Sequence, residues 1–177
     1  MKNKRKGKGK VQSALDVSLS GVRAATDAFL ATADGVGSFW KIPRAPGKWS
    51  PSQVVEHVAR IMEESANVVA GARSAFPTIP FLLRPIVRLL VFERILRRKA
   101  FLKMKAAEAM DPPTGSATPK QARVRLEAVL TGFDRACRAR AASGQDVAST
   151  IFGAVPVADF ARFQELHVRH HHLQLPQ

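Results

Sequence analysis

The chain has 177 residues, 46% of them hydrophobic, with 28 Lys and Arg against 14 Asp and Glu and a formal net charge of +14. That length bounds the protein to one domain with enough chain for a hydrophobic core. A single cysteine, Cys137, excludes an internal disulfide and points to a reducing compartment, the cytoplasm.

In chain order, Met1 to Lys10 carries six basic residues, no acid and almost no apolar side chain. No apolar run follows it, so it does not read as a signal peptide. Residues 1–10 are expected to be a disordered basic tail and residues 11–177 a single helical domain. Val11, Leu15, Leu19, Val22, Ala25 and Phe29 recur at helical spacing, predicting a first helix to about Ala33. Gly35, Gly37, Pro43, Pro46 and Gly47 mark the loop after it. Ser50-Pro51-Ser52-Gln53 combines an N-cap serine, a proline in the first turn and a glutamine at N3, and starts a second helix that runs to about Gly71. Its apolar stripe is Val54, Val58, Ile61, Met62 and Val69, and His57 falls on that inward face.

Phe76 to Pro80 reads as a connection. A third helix is expected from Leu82 or Pro85 to about Met110, with Ile86, Leu89 and Leu90 packed on the bundle and Arg84, Arg88, Arg98 and Lys99 on the other side. The window Phe81 to Phe92 is the most apolar in the chain, yet it holds Arg84, Pro85 and Arg88 and is too short to span a bilayer. Asp111 to Gly115 breaks the helix. Thr118-Pro119 starts a fourth, to about Ala142, with Val124, Val129, Leu130, Phe133 and Cys137 as core positions. Cys137 is expected to be a small core residue rather than a reactive thiol. Phe152 to Pro156 is a turn, and a last helix runs from about Val157 to Leu173. No strand pattern of useful length occurs. The expectation is an all-α, antiparallel bundle in which the second and last helices are neighbours.

The charge is concentrated in two places. Lys2 to Lys10 is one, and Arg84 to Lys105, with eight basic residues and one acid, is the other. The remainder is nearly neutral. Such surfaces attract anions, nucleic acid or anionic membrane without base specificity.

All five histidines fall in two stretches: His57 on the second helix, and His167, His170, His171 and His172 on the last. His167 and His171 are four apart and share a face. That face also carries Phe160, Phe163 and Gln174, so it turns imidazoles toward the interior. Burying imidazole is costly unless both nitrogens find partners, and a metal on one with an acceptor on the other satisfies both.

Trp49-Ser50-Pro51, Gln53, Glu56-His57, Ile151-Phe152-Gly153 and Phe163-Gln164 leading to His167-x-x-His170-His171-x-x-Gln174 resemble the DinB/YfiT-like superfamily of small metal-binding four-helix proteins. The resemblance spans residues 49 to 174. It implies a DinB-like four-helix bundle, here with an additional basic helix, and a divalent metal (zinc, nickel, manganese or iron) held by His57, His167 and His171. Gln174, His170 and Glu64 are candidates for positions around the ligands; His172 is expected in solvent, and Glu64 reads more readily as an exposed glutamate.

Two functional readings follow. One is a metal-dependent enzyme, a thiol-dependent S-transferase or a hydrolase, acting on a small molecule with a low-molecular-weight bacterial thiol as a co-substrate. The alternative is a non-catalytic, metal-stabilised binding module that docks on nucleic acid or an anionic membrane through Lys2 to Lys10 and Arg84 to Lys105. A homodimer fits either reading.

Overall fold

The computed structural model of the chain describes residues 2–101 and 110–176, with side chains in the first helix described from Gln12 onward. Helix α1 spans Lys2–Gly35. Its core face is the predicted stripe, with Leu15, Leu19, Val22, Ala25 and Phe29 all buried. The helix also continues back through the basic run, where the sequence reading has a disordered tail. Lysine is a good helix former, and a helix already nucleated on the bundle extends at one hydrogen bond per residue, which offsets the glycines at 7 and 9.

Helix α2 spans Pro51–Ala70. Its start is the one read from sequence: the Ser50 hydroxyl accepts from Gln53 N, and the Gln53 side chain accepts from Ser50 N. Gly71, at φ 76°, ends it in a left-handed conformation that glycine adopts without steric cost.

The connection from α2 to the next long helix differs from the expected continuous third helix. Phe81–Leu83 is a 3-10 turn, α3 spans only Arg84–Val87, Arg88–Phe92 is one π-helical turn, and α4 spans Glu93–Arg98. Lys99 then turns left-handed, at φ 52°, and residues 102–109 of the predicted helix, including Lys103 and Lys105, lie outside the described residues. The wide π turn rotates the side chains after it relative to those before it. Phe92 and Ile95 therefore enter the core, while Ile86, Leu89 and Leu90, expected to pack on the bundle, are each more than half exposed.

Helix α5 spans Pro119–Ser143, capped by Thr118 and ended by Gly144 at φ 72°. Ala122, Leu126, Leu130, Phe133 and Cys137 are its buried face. Val124, expected in the core, is 63% exposed because it lies off that stripe. A small hairpin not foreseen in the sequence follows: β1, Val147–Ser149, pairs antiparallel with β2, Gly153–Val155. Three-residue strands are too short to leave an alternating pattern. Helix α6 spans Val157–His172.

Among the described residues the fold is an all-α bundle of four long helices, α1, α2, α5 and α6. The main pairings are α1 with α6 and α2 with α5. Both are parallel. Gly21 faces Glu165 and Thr32 meets His172, so α1 and α6 ascend together. Glu56 pairs with Arg125, and Arg140 donates to Val69 O, so α2 and α5 do the same. Asp16 and Asp34 of α1 meet Arg138 and Arg123, which runs α1 antiparallel to α5. The expected antiparallel pairing throughout is thus corrected. Short loops force neighbours to reverse, whereas residues 71–118 are long enough to carry the chain back along the bundle. Helices α2 and α6 touch along a narrower seam. Among the described residues no helix is long and apolar enough to cross a membrane.

Candidate metal centre and its cavity

The seam between α2 and α6 brings together His57, His167 and His171, all buried. One nitrogen from each can be chosen so that all three lie within 4.8 Å of one another. His167 Nε2 and His171 Nε2 are 3.0 Å apart. Two nitrogens each about 2.1 Å from a shared ion stand roughly 3.0–3.4 Å apart for right-angled to tetrahedral geometry, so the spacing fits a common ion.

The partners of the other ring nitrogens set the tautomers. His57 Nδ1 lies 2.9 Å from Met110 O, a carbonyl that can only accept. Nδ1 therefore carries the proton and Nε2 keeps its lone pair. His171 Nδ1 is 3.1 Å from Gln174 Oε1, which leaves His171 Nε2 with its lone pair as well. Gln174 Nε2 in turn donates to His170 Nε2 at 3.3 Å. The Trp49 ring lies over His57 at 4.6 Å between centroids.

Burial keeps these imidazoles neutral. Desolvation lowers the pKa of His57 against the opposing pull of the Met110 carbonyl. His171 is pushed down to about 3, mainly by burial and then by its neighbour His57. His167, fully enclosed beside the other two, is held well below the usual range. Three neutral imidazoles with converging nitrogens are a donor set suited to a divalent transition metal.

A cavity of about 350 Å³ opens onto the triad. Its wall is mostly apolar and includes Trp49, Ile61, Phe101, Phe152 and Phe163. No carboxylate lines it among the described residues. Its polar groups besides the triad are His170, Gln174, Ser149 and Gln164, and the buried Gln164 Oε1 has no hydrogen-bond partner.

The remaining candidates separate clearly. Gln174 and His170 stand beside the triad. Glu64 does not: its Oε2 accepts from Ala75 N at 2.7 Å and ties down the loop after α2. His172, expected in solvent, is instead 2.7 Å from Thr32 Oγ1 and edge-on to Phe29, joining α6 to α1. Cys137 is buried in the core, and desolvation raises its thiol to about 12, so it is unreactive.

Sequence reasoning missed three contributors. Met110 O orients His57 from a loop that bears no polar signal at that position. Phe101, whose ring packs on Phe163, His167 and His170, closes one wall. Glu165 is a buried carboxylate gripped by Arg162 and Arg169 and seated against Gly21. The arginines three before and four after it were the available signal.

The profile of DUF1569, described as a protein of unknown function, matches residues 37–177. The chain belongs to the DUF1569 family. The DUF1569 match takes in α2, α5, the hairpin and α6, hence all three histidines, while α1 lies ahead of it. Searches of the curated proteins and of the solved structures found no match.

Proposed function

We propose that the protein is a metal-dependent enzyme of the DinB/YfiT-like type, a thiol-dependent S-transferase, in which His57, His167 and His171 hold one divalent ion. The observation that carries this reading is the convergence of three buried, neutral imidazoles in the wall of an apolar cavity. The resemblance of the two histidine motifs to that superfamily supports it.

An ion held by three neutral ligands keeps its full charge and supplies Lewis acidity that lowers the pKa of a thiol or water next to it. The thiol suits this site better than water does. Among the described residues the cavity offers no carboxylate base, and a thiol, with a free pKa of about 8.5, needs far less help to ionise than water. The protein's own contribution is orientation and exclusion of water. Met110 O fixes the His57 ring, Gln174 fixes His171, and the aromatic wall receives an apolar electrophile. Gln164 Oε1, buried without a partner, is available to a donor on that substrate.

The test is metal stoichiometry followed by turnover. Purified protein is stripped with chelator, reloaded with zinc, nickel, manganese or iron(II), and assayed for metal content and for loss of free thiol with a panel of small electrophiles. One ion per chain, lost in His57→Gln and His171→Gln, with thiol consumption only in the loaded protein, is the expected result. Failure to retain any of the four ions would remove the basis of the proposal. Retention with hydrolysis of ester or amide substrates, and no thiol use, would reassign it as a hydrolase.

A further inference from the structure

The segment that crosses the bundle between α2 and α5 displays a dense outward apolar face. Phe81, Leu82, Leu83, Ile86, Leu89 and Leu90 are 76%, 82%, 49%, 53%, 52% and 57% exposed. At roughly 200 Å² per fully exposed large side chain, their summed exposure is about 700 Å² within ten residues, a density of open apolar surface that marks an interaction site. The face is held in place. Arg84 Nε donates to Ile79 O at 2.8 Å, and Arg88 donates to Ala154 O and to Glu93. The π turn then sends Phe92 and Ile95 into the core. The segment is therefore docked by one apolar face and presents a second to solvent.

Charge lies next to this second face. Arg94, Arg97, Arg98 and Lys99 follow within one to three turns, all exposed and without a carboxylate partner among the described residues. From Phe81 to Lys99 the only acid is Glu93, and Arg88 already occupies it. We infer that residues 81–99 form a docking surface for an anionic lipid bilayer, on which the segment lies in the interface with its leucine and phenylalanine side chains in the acyl boundary and its arginines among the headgroups.

The combination decides the occupant. An apolar face edged by arginine is the pattern of a helix lying in a membrane interface, and a surplus of cations adds attraction to anionic headgroups. A second copy of the chain is disfavoured, because the same segment of a facing copy brings only its own surplus of cations and no acid to match the arginines. No helix among the described residues is long and apolar enough to span the bilayer, so the surface rests on it. The segment continues into Phe101, which walls the histidine cavity, so docking would hold that cavity close to the lipid.

The experiment is vesicle co-sedimentation of the full chain with phosphatidylcholine vesicles, with and without about 30% phosphatidylglycerol, at about 0.05 and 0.5 M salt. At least ten-fold tighter partition onto the anionic vesicles, weakened at high salt, is expected. Leu82→Glu with Leu89→Glu, and separately Arg94→Gln with Arg97→Gln and Arg98→Gln, should each reduce it at least ten-fold. All five side chains are exposed, so unchanged thermal melts will show that the fold is intact. Equal partition of wild type and the double-glutamate variant would overturn the inference and leave the basic stretch at residues 2–10 as the lipid contact. Absence of vesicle binding, together with a concentration-dependent dimer that the glutamate variant abolishes, would assign the face to a second copy. Tighter binding to a soluble acidic polypeptide than to vesicles would assign it to an acidic protein.

Discussion

Lowering the pH of metal-free protein from about 6 to about 5 should cost up to several kcal/mol of stability, because three imidazoles are folded into places where burial opposes the uptake of a proton. His57, His167 and His171 all have native pKa values below the unfolded value, with burial the leading cause. The sign follows from proton uptake. Above about pH 7.5, a unit past the unfolded value of about 6.5, neither state is protonated and their contribution is complete. As the pH falls below that value the unfolded chain binds protons that the native chain refuses, and stability is lost until each native pKa is reached, about 3 for His171. Each such group is worth about 1.4 kcal/mol per pH unit. Three protons refused across the whole interval set an upper bound of roughly 3.5–4 kcal/mol between pH 6 and 5, a large share of the ~5–15 kcal/mol that holds a typical domain. Urea unfolding in chelator at a series of pH values reads this slope directly. His171→Leu should lower it by about one proton, since its refused proton is removed. A slope of one proton or less across that interval would refute the account of three buried neutral rings.

Other outcomes follow from the same geometry. Gly115→Ala should be strongly destabilising, by more than about 2 kcal/mol, because a Cβ there would collide with the Ser52 carbonyl, which is backbone and cannot turn away; chemical denaturation measures it. Phe92→Ala should cost about 3–5 kcal/mol and Leu89→Ala under about 1 kcal/mol, since the first is 1% and the second 52% exposed; equal effects would mean that the π turn is misplaced. Gln174→Leu should weaken metal binding by about 10–100-fold in a calorimetric titration while leaving the metal-free melt nearly unchanged.

The parts of the fold carried by local chemistry were legible. The Ser50 capping box, the Thr118-Pro119 start and the glycines at 71 and 144 set helix ends through contacts within a few residues, so the sequence alone locates them. His57 and the Phe160–Phe163–His167–His171 stripe were legible for a similar reason: helical periodicity decides which face they share. The segment from Phe81 to Lys99 was not. Apolar residues occur on every side of it, so periodicity does not choose between Leu89 and Phe92, and the choice is made by a π turn and a left-handed lysine that only tertiary packing holds. Met110 O was hidden because a backbone carbonyl carries no residue signature. His172 was misjudged because its partner, Thr32, is 140 positions away. The parallel pairing of helices was hidden likewise, since it depends on what a long connection does rather than on any element it joins.

That parallel pairing has a consequence for how the protein is made. The partner of α1 is α6, and more than a hundred residues separate them. During synthesis α1 and α2 emerge with their apolar faces uncovered, and His57 waits for two histidines that are translated only with α6. Non-local pairing of this kind favours slow folding and prolonged exposure of apolar surface. A nascent chain halted before α6 therefore has no triad, and ion capture through that triad must wait until α6 has been made and docked, so retention of metal would report that assembly had been completed.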